Sequence, residues 1–319
     1  MKDSPFCYAG YSLSDTRLLS SSGGFFDVLA KKIIETGGVV FGAAIDENGN
    51  VFHKSVEKVE ELPCLYGSKY SQSKVGKAYF EVKKYLNDGR KVLFSGTPCQ
   101  TAALAGIVGK NRENLILVDF VCHGVPNPEI LRKYIQEVSE GKEVKSISFR
   151  DKKKGWLNYR VKITYKDGTE YSIDYRENEY MHGFIYNLYL RPSCFECRFK
   201  GIDRVTDFTL GDFWGVDVEE PEFYDSDGVS VILTHTERAE RILGQIRDQM
   251  VLKKVDIKKV TRHNPSLIRS AERNKMEKLF YIDYSLRGVR KAINCIWRPR
   301  FINKIRNKLY RGIMKLIWK

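Results

Sequence analysis

A chain of 319 residues with 42% hydrophobic side chains is long enough to bury a sizeable core, as one large domain or two moderate ones. Its start, MKDSPFCYAGYSLSD, has no apolar core of secretion-signal length, and no stretch approaches the ~18 continuous apolar residues of a spanning helix, so a cytoplasmic protein is expected. The net charge of +14 is concentrated at one end: residues 286–319 hold 11 Lys/Arg and no Asp/Glu, against 43 basic and 40 acidic residues elsewhere.

In chain order, SSSGG at 20–24 leads into FFDVLAKKII, whose apolar residues recur at helical spacing. Small residues at a helix start offer free amides to an anion, or simply supply a serine cap. The expectation here is the serine cap. VVFGAA at 39–44 reads as a buried strand, and a DENGN turn returns it as a hairpin through 51–56. GSKYSQS at 67–73 mixes polar and aromatic residues. Lys69 and Tyr70 there suit a phosphate or a planar ring, or a plain surface loop.

An amphipathic helix over 75–87 precedes KVLFSGTPCQ at 91–100, the most informative stretch. Val92, Leu93 and Phe94 form a short buried strand, and Thr97-Pro98 reads as an N-cap with proline at the first helical position. Cys99 then sits in the first turn of a helix, where exposed amides and the helix dipole favour a thiolate. NLILVDFVCHG at 114–124 repeats the plan, ending on Cys122, His123 and Gly124. If both strands share a parallel sheet, Cys99 and Cys122 emerge on one edge, the one where open α/β sheets bind ligands.

A helix is expected over 128–138. Alternating segments at 144–149, 159–165 and 169–175 then predict an antiparallel meander, with RDKKKGW at 150–156 as an exposed basic link. An aromatic stretch leads into Cys194-Phe195-Glu196-Cys197. FTLGDFWG at 208–215 and 229–233 read as strands, the second followed by a helix over 237–249.

Seven cysteines without a secretion signal disfavour a disulfide framework and favour metal or redox use. A lone CxxC fits half a zinc site, a dithiol or two cluster ligands; no second CxxC stands at zinc-ribbon spacing. Cys99, Cys122, Cys194 and Cys197 make four thiolates, the count a [4Fe–4S] cluster requires, although each single cysteine also reads as a small buried hydrophobe. Cys7, Cys64 and Cys295 are taken as structural. Cys99 and His123 as a nucleophile–base pair is a further alternative, with no orienting Asn or Asp in evidence.

The blocks SSSGGFF, VVFGAAIDENGNVFH, GSKYSQS, VLFSGTPCQ, VDFVCHGVPNP, SFRDKKKGW, LYLRPSCFECRFKG, FTLGDFWGV and HNPSL, in this order from about residue 8 to residue 267, closely resemble the coenzyme F-420 hydrogenase/dehydrogenase beta-subunit family. The resemblance is strongest to bacterial members found among surface-polysaccharide genes. It implies FAD beside a [4Fe–4S] cluster, with Cys99, Cys122, Cys194 and Cys197 as cluster ligands. It also implies Ser21, Ser22, Gly23 and Gly24 at the FAD phosphates, and Ser68, Lys69, Thr97, Gln100 and His123 near flavin or substrate. Lys69 and His123 are the candidate catalytic residues, and deazaflavin F-420 is a candidate substrate. His182 is open between core packing and a flavin contact. Many bacterial members begin with a ferredoxin-like region that has no counterpart ahead of Cys7, so a separate ferredoxin-type partner is expected.

The overall expectation is an α/β protein: a parallel or mixed sheet core with an antiparallel insertion over residues 1–285, and a basic, amphipathic helical tail over 286–319. The tail's Trp297, Phe301, Ile302, Ile305, Leu309, Ile313, Leu316, Ile317 and Trp318 among cations suit an anionic membrane surface rather than nucleic acid, with Pro299 breaking the helix near its start. The alternative function is a non-catalytic zinc- or cluster-stabilised scaffold in a polysaccharide complex.

Overall fold

The computed structural model describes residues 5–109, 112–299 and 301–317, with side chains of the last segment as far as residue 314. Its strands are β1 (Phe6–Ser12), β2 (Val39–Ile45), β3 (Val51–Val56), β4 (Val92–Ser95), β5 (Leu115–Phe120), β6 (Val144–Asp151), β7 (Arg160–Tyr165), β8 (Glu170–Asp174), β9 (Phe208–Asp212), β10 (Ser230–Thr234) and β11 (Met250–Lys254). The helices are α1 (Phe25–Glu35), α2 (Ala78–Asn87), α3 (Pro98–Val108), α4 (Pro128–Ser139), α5 (Glu179–Ile185) and α6 (Val216–Glu219). They continue with α7 (Glu237–Gln245), α8 (Ile257–His263), α9 (Pro265–Ile268), α10 (Glu277–Arg287), α11 (Val289–Trp297) and α12 (Phe301–Ile317).

Eight strands form one mixed sheet in the order β11-β1-β10-β9-β5-β4-β2-β3. Its centre is parallel: Val92 pairs with Val39 on one side and Leu115 on the other, and Val118 pairs with Phe208. Apart from Ser95, Asp119 and the polar residues of β9, these strands are apolar because helices cover both faces. Leu93, Ile116 and Val118 pack with α1 and α7, whereas Val92, Phe94, Leu115 and Leu117 pack with α2 and α3. The flanks are antiparallel, β3 on β2 and β10, β1 and β11 beyond β9. Two reversals leave β1 running with β9. The carboxyl ends of β1, β4, β5 and β9, and the start of β10, therefore share one edge.

The expected meander is the separate antiparallel sheet β6-β7-β8. It shares a core with α4, α5, α10 and α11.

Two expectations change. The link at 150–156 is not uniformly exposed: Arg150, Lys152 and Trp156 are buried. The Lys152 ammonium is caged by three carbonyls, donating to Arg17 O (2.9 Å), Ser22 O (2.9 Å) and Asp227 O (2.6 Å). The second change concerns the basic end, which does not separate at residue 286. Val289, Ala292 and Ile293 of α11 lie in the same core as the meander, and Trp297 stacks on His182 at 4.0 Å. That stacking makes His182 a packing residue. Pro299 falls in the break between α11 and α12.

Candidate functional site

At the shared edge lies a cavity of about 450 Å³, within the size range of small-molecule sites. Ser21, Ser22, Gly24, Ser68, Lys69, Thr97, Gln100, Cys122 and His123 of the expected site residues line it, together with Gly42, His53, Tyr70, Asp212 and Trp214. Gly23, Cys99, Cys194 and Cys197 stand outside that lining.

One end is built by the serine–glycine loop. Gly24 occupies the N-cap of α1 at φ 85° and no side chain caps the helix, so the expected serine cap is absent. The serines are engaged elsewhere. Ser21 Oγ accepts from the Ser68 N–H (2.6 Å), and Ser22 Oγ donates to Val229 O (2.8 Å). The Asp27 N–H of the first turn bonds back to Gly24 O (3.1 Å), whereas the amides of Phe25 and Phe26, residues that line the cavity, precede the first intrahelical bond and suit an anion. Gly23 is needed for a close approach: a Cβ there would stand 2.3 Å from Gly10 O. Behind the loop, Arg150 donates to Ser21 O (3.0 Å) and to both oxygens of Asp212 (3.0 and 3.2 Å).

The 66–71 segment supplies Lys69, whose Nζ donates to Tyr66 O (2.7 Å). Desolvation pulls this amine down to about 7, partly opposed by the nearby Cys64. Tyr66 in turn donates to the buried Asp27 of α1, which also pairs with Lys31 at 2.8 Å. The lysine is thus delivered to the cavity by a loop pinned to α1.

On the opposite wall, Thr97 caps α3 with Pro98 next, as expected. Gln100 folds back, accepting from the Thr97 N–H (3.0 Å) and donating to Ser73 Oγ (2.9 Å). Cys99 points outward, its sulfur 3.1 Å from Thr97 Oγ1.

Cys122 lies within electrostatic reach of Cys99, Cys194 and Cys197, although 98 positions separate the first of the four from the last. Arg191 N–H donates to Val125 O (2.9 Å) and Asn127 N–H to Tyr189 O (3.0 Å), zipping the 189–191 segment onto the stretch after Cys122. Gly124 leaves the room this needs, since a Cβ there would lie 2.8 Å from Leu190 Cδ1. Cys194 follows at once, and the Cys197 N–H is held by Ser270 Oγ (3.1 Å). Burial pushes the Cys122 thiol up to about 12, opposed by Lys200 and reinforced by Cys194, Cys99 and Cys197. Cys194 is raised mainly by burial, against a hydrogen bond from Val125, and it too feels Cys197 and Cys99. The Lys200 ammonium donates to Cys122 O and to Ser266 O (2.8 Å). Among the described residues no three His, Cys, Asp or Glu side chains are spaced for a single metal ion. One ion draws its sulfurs to about 2.3 Å from a common centre, whereas a cluster takes one thiolate per iron and leaves them further apart.

His123 is oriented by a residue that the sequence reading missed. Asn187 Nδ2 donates to Glu272 O (2.9 Å), turning Oδ1 towards the imidazole, where it accepts from His123 Nε2–H at 2.6 Å. Asn187 sits at φ 62°, a conformation asparagine tolerates better than most residues. That Asn in an aromatic run was the available signal. Burial lowers the His123 pKa, and its Nδ1 stands 3.4 Å from Ser266 Oγ. No hydrogen bond joins His123 to Cys99 among the described residues; the nucleophile–base alternative gains an orienter but not its central contact. His53 was also missed. It stacks on Phe94 at 5.0 Å, and burial pulls it down to about 4 with Nδ1 unpartnered.

A ligand cavity at the carboxyl edge of a mixed α/β sheet, flanked by a group of thiols, defines the class of protein. The family model for the C terminus of the coenzyme F420 hydrogenase/dehydrogenase beta subunit matches residues 89–260, and the chain belongs to that family. The match contains all four cysteines and stops short of the serine–glycine loop and Lys69. Among solved structures, a chain of the F420-reducing [NiFe] hydrogenase complex from Methanosarcina barkeri superposes with a TM-score of 0.54 at 16% identity, covering 89% of this chain and 93% of that one. At that identity the likeness shows the fold. Curated proteins give no match. The family relationship suggests an oxidoreductase.

Proposed function

We propose that the chain is a flavin- and iron–sulfur-dependent oxidoreductase that passes electrons between a ferredoxin-type partner and a hydride acceptor. The observation that carries this reading is the gathering of Cys99, Cys122, Cys194 and Cys197 beside a 450 Å³ cavity whose far end is an uncapped helix terminus with Lys69 at hand. The donor set fits the group: four thiols, two of them held protonated by burial and mutual repulsion, are stabilised once iron supplies the positive charge.

A bound flavin supplies the exchange between single electrons and a hydride. The chain's own residues bind and position. Ser21, Ser22, Gly24 and the α1 amides, with Gly23 packing the loop, hold a pyrophosphate. Ser68 and Lys69 add a donor and an adjustable positive charge. Thr97 and Gln100 border the ring, and His123, kept neutral by burial and fixed by Asn187, presents an imidazole to the substrate side. The family label makes deazaflavin F-420 one candidate acceptor, and the resemblance to polysaccharide-cluster members supports a role in surface-glycan assembly. That the superposed chain comes from a hydrogenase complex supports a partner subunit as electron source.

The test is Cys194→Ala, purified without oxygen beside the parent protein. Loss of most of the iron with FAD retained is expected; unchanged iron content contradicts the ligand assignment.

A further inference from the structure

The helix α12 carries apolar side chains on the wrong side. Phe301, Ile302, Ile305, Leu309 and Ile313 are all exposed, Phe301 by 78% and Leu309 by 65%. At 100° per residue, positions 301, 305, 309 and 313 fall within one 120° stripe, with 302 inside it. The opposite side is the one packed on the body. Asn307 is buried and donates to Cys295 O (2.9 Å), Met314 is buried, and Arg306 makes a two-pronged pair with Asp283 of α10 at 2.8 and 2.7 Å. The helix is thus fixed in rotation, with its apolar stripe turned to solvent. Lys304, Lys308 and Arg311 are exposed along one flank of that stripe. On α10, Ile282 and Leu286 are also exposed.

We infer that α12 lies flat on an anionic lipid surface, sinking its Phe301–Ile305–Leu309–Ile313 stripe into the headgroup boundary while its lysines and arginine meet lipid phosphates. An outward apolar stripe beside a cationic flank, on a helix anchored from behind, is the arrangement an interfacial helix requires. Charge decides between partners. Arg287, Arg290, Arg298 and Arg306 pair with acids of the body, but among the described residues Lys304, Lys308 and Arg311 beside the stripe make no ion pair. A second copy of this face would therefore bring like charges together, whereas an anionic surface neutralises them. No helix among the described residues is long and apolar enough to cross the membrane, so α12 rests on one leaflet.

Because α11 belongs to the core, the test keeps residues 286–299 and changes exposed positions of α12 in the full chain. Co-sedimentation is measured with vesicles of phosphatidylglycerol and phosphatidylcholine, and with phosphatidylcholine alone. The parent protein is expected to bind only the anionic vesicles and to release as salt is raised. Leu309→Asp and Lys304→Glu/Lys308→Glu should each weaken binding by about tenfold or more, with the melting temperature of the free protein unchanged. Equal binding to both vesicles, no binding, or binding indifferent to Leu309→Asp overturns the inference. So does a dimer that Leu309→Asp dissociates in the absence of lipid.

Discussion

Lys69 shows how much one side chain can report about the cavity. Its amine is held near 7 because burial removes water without supplying a carboxylate. An anionic ligand facing it would restore the positive charge and raise that value again. By linkage, affinity for FAD or ADP should then be steady below pH 7 and fall above it, by up to about tenfold per pH unit until the bound-state value is reached. Calorimetric titration from pH 6 to 9 checks this, and Lys69→Met should bind more weakly with a flattened profile. A flat profile in the parent protein places Lys69 away from the anion. The sequence offered Lys69 as a candidate phosphate or ring contact beside Tyr70, or as part of a plain surface loop, and its lowered basicity was not legible there. That property comes from a loop pinned through Tyr66 to Asp27, 39 positions away. Asn187 was illegible for a related reason: its role rests on a hydrogen bond to His123, 64 positions off.

At the scale of elements, strands ending in cysteine or glycine were readable because period and punctuation are local. The parallel neighbours β4 and β5 deliver Cys99 and Cys122 to one edge as their sequences suggested. The 150–156 link was misread because composition counts cations without seeing what cages them. Three carbonyls take up the Lys152 ammonium and two carboxylate oxygens the Arg150 guanidinium. β1 and the edge strand β11 beside it also went unread, being only partly apolar. Lys152→Met should leave Ser22 O and Asp227 O without their donor, Arg17 O keeping the Ser20 N–H. A loss of about 2–3 kcal/mol of stability follows, with weaker ligand binding because the serine–glycine loop loses its brace. Urea unfolding beside a binding titration separates the two effects, and unchanged stability refutes the caging role.

For the molecule as a whole, acid should be the destabilising direction. His53, His182 and His235 are each pulled by burial to about 4, well below their ordinary value near 6.5. A base depressed in the folded state contributes stability that is fully present above its unfolded value and lost as pH falls towards the folded one. Asp119 works against this. Burial raises it to about 6, so its contribution is complete below the usual carboxylate range and is lost as pH rises through 6. Three histidines outweigh one carboxyl, so the urea midpoint should fall steadily between pH 6.5 and pH 4. His53→Phe should reduce the slope; a midpoint constant across that window contradicts the burial argument.

The central claim is that sulfurs from three separate segments share one cluster beside a bound flavin. Iron and acid-labile sulfide, counted per chain on protein purified without oxygen, test it most directly. About four of each are expected, with one releasable FAD. A protein holding a single zinc ion, or neither iron nor flavin, contradicts it.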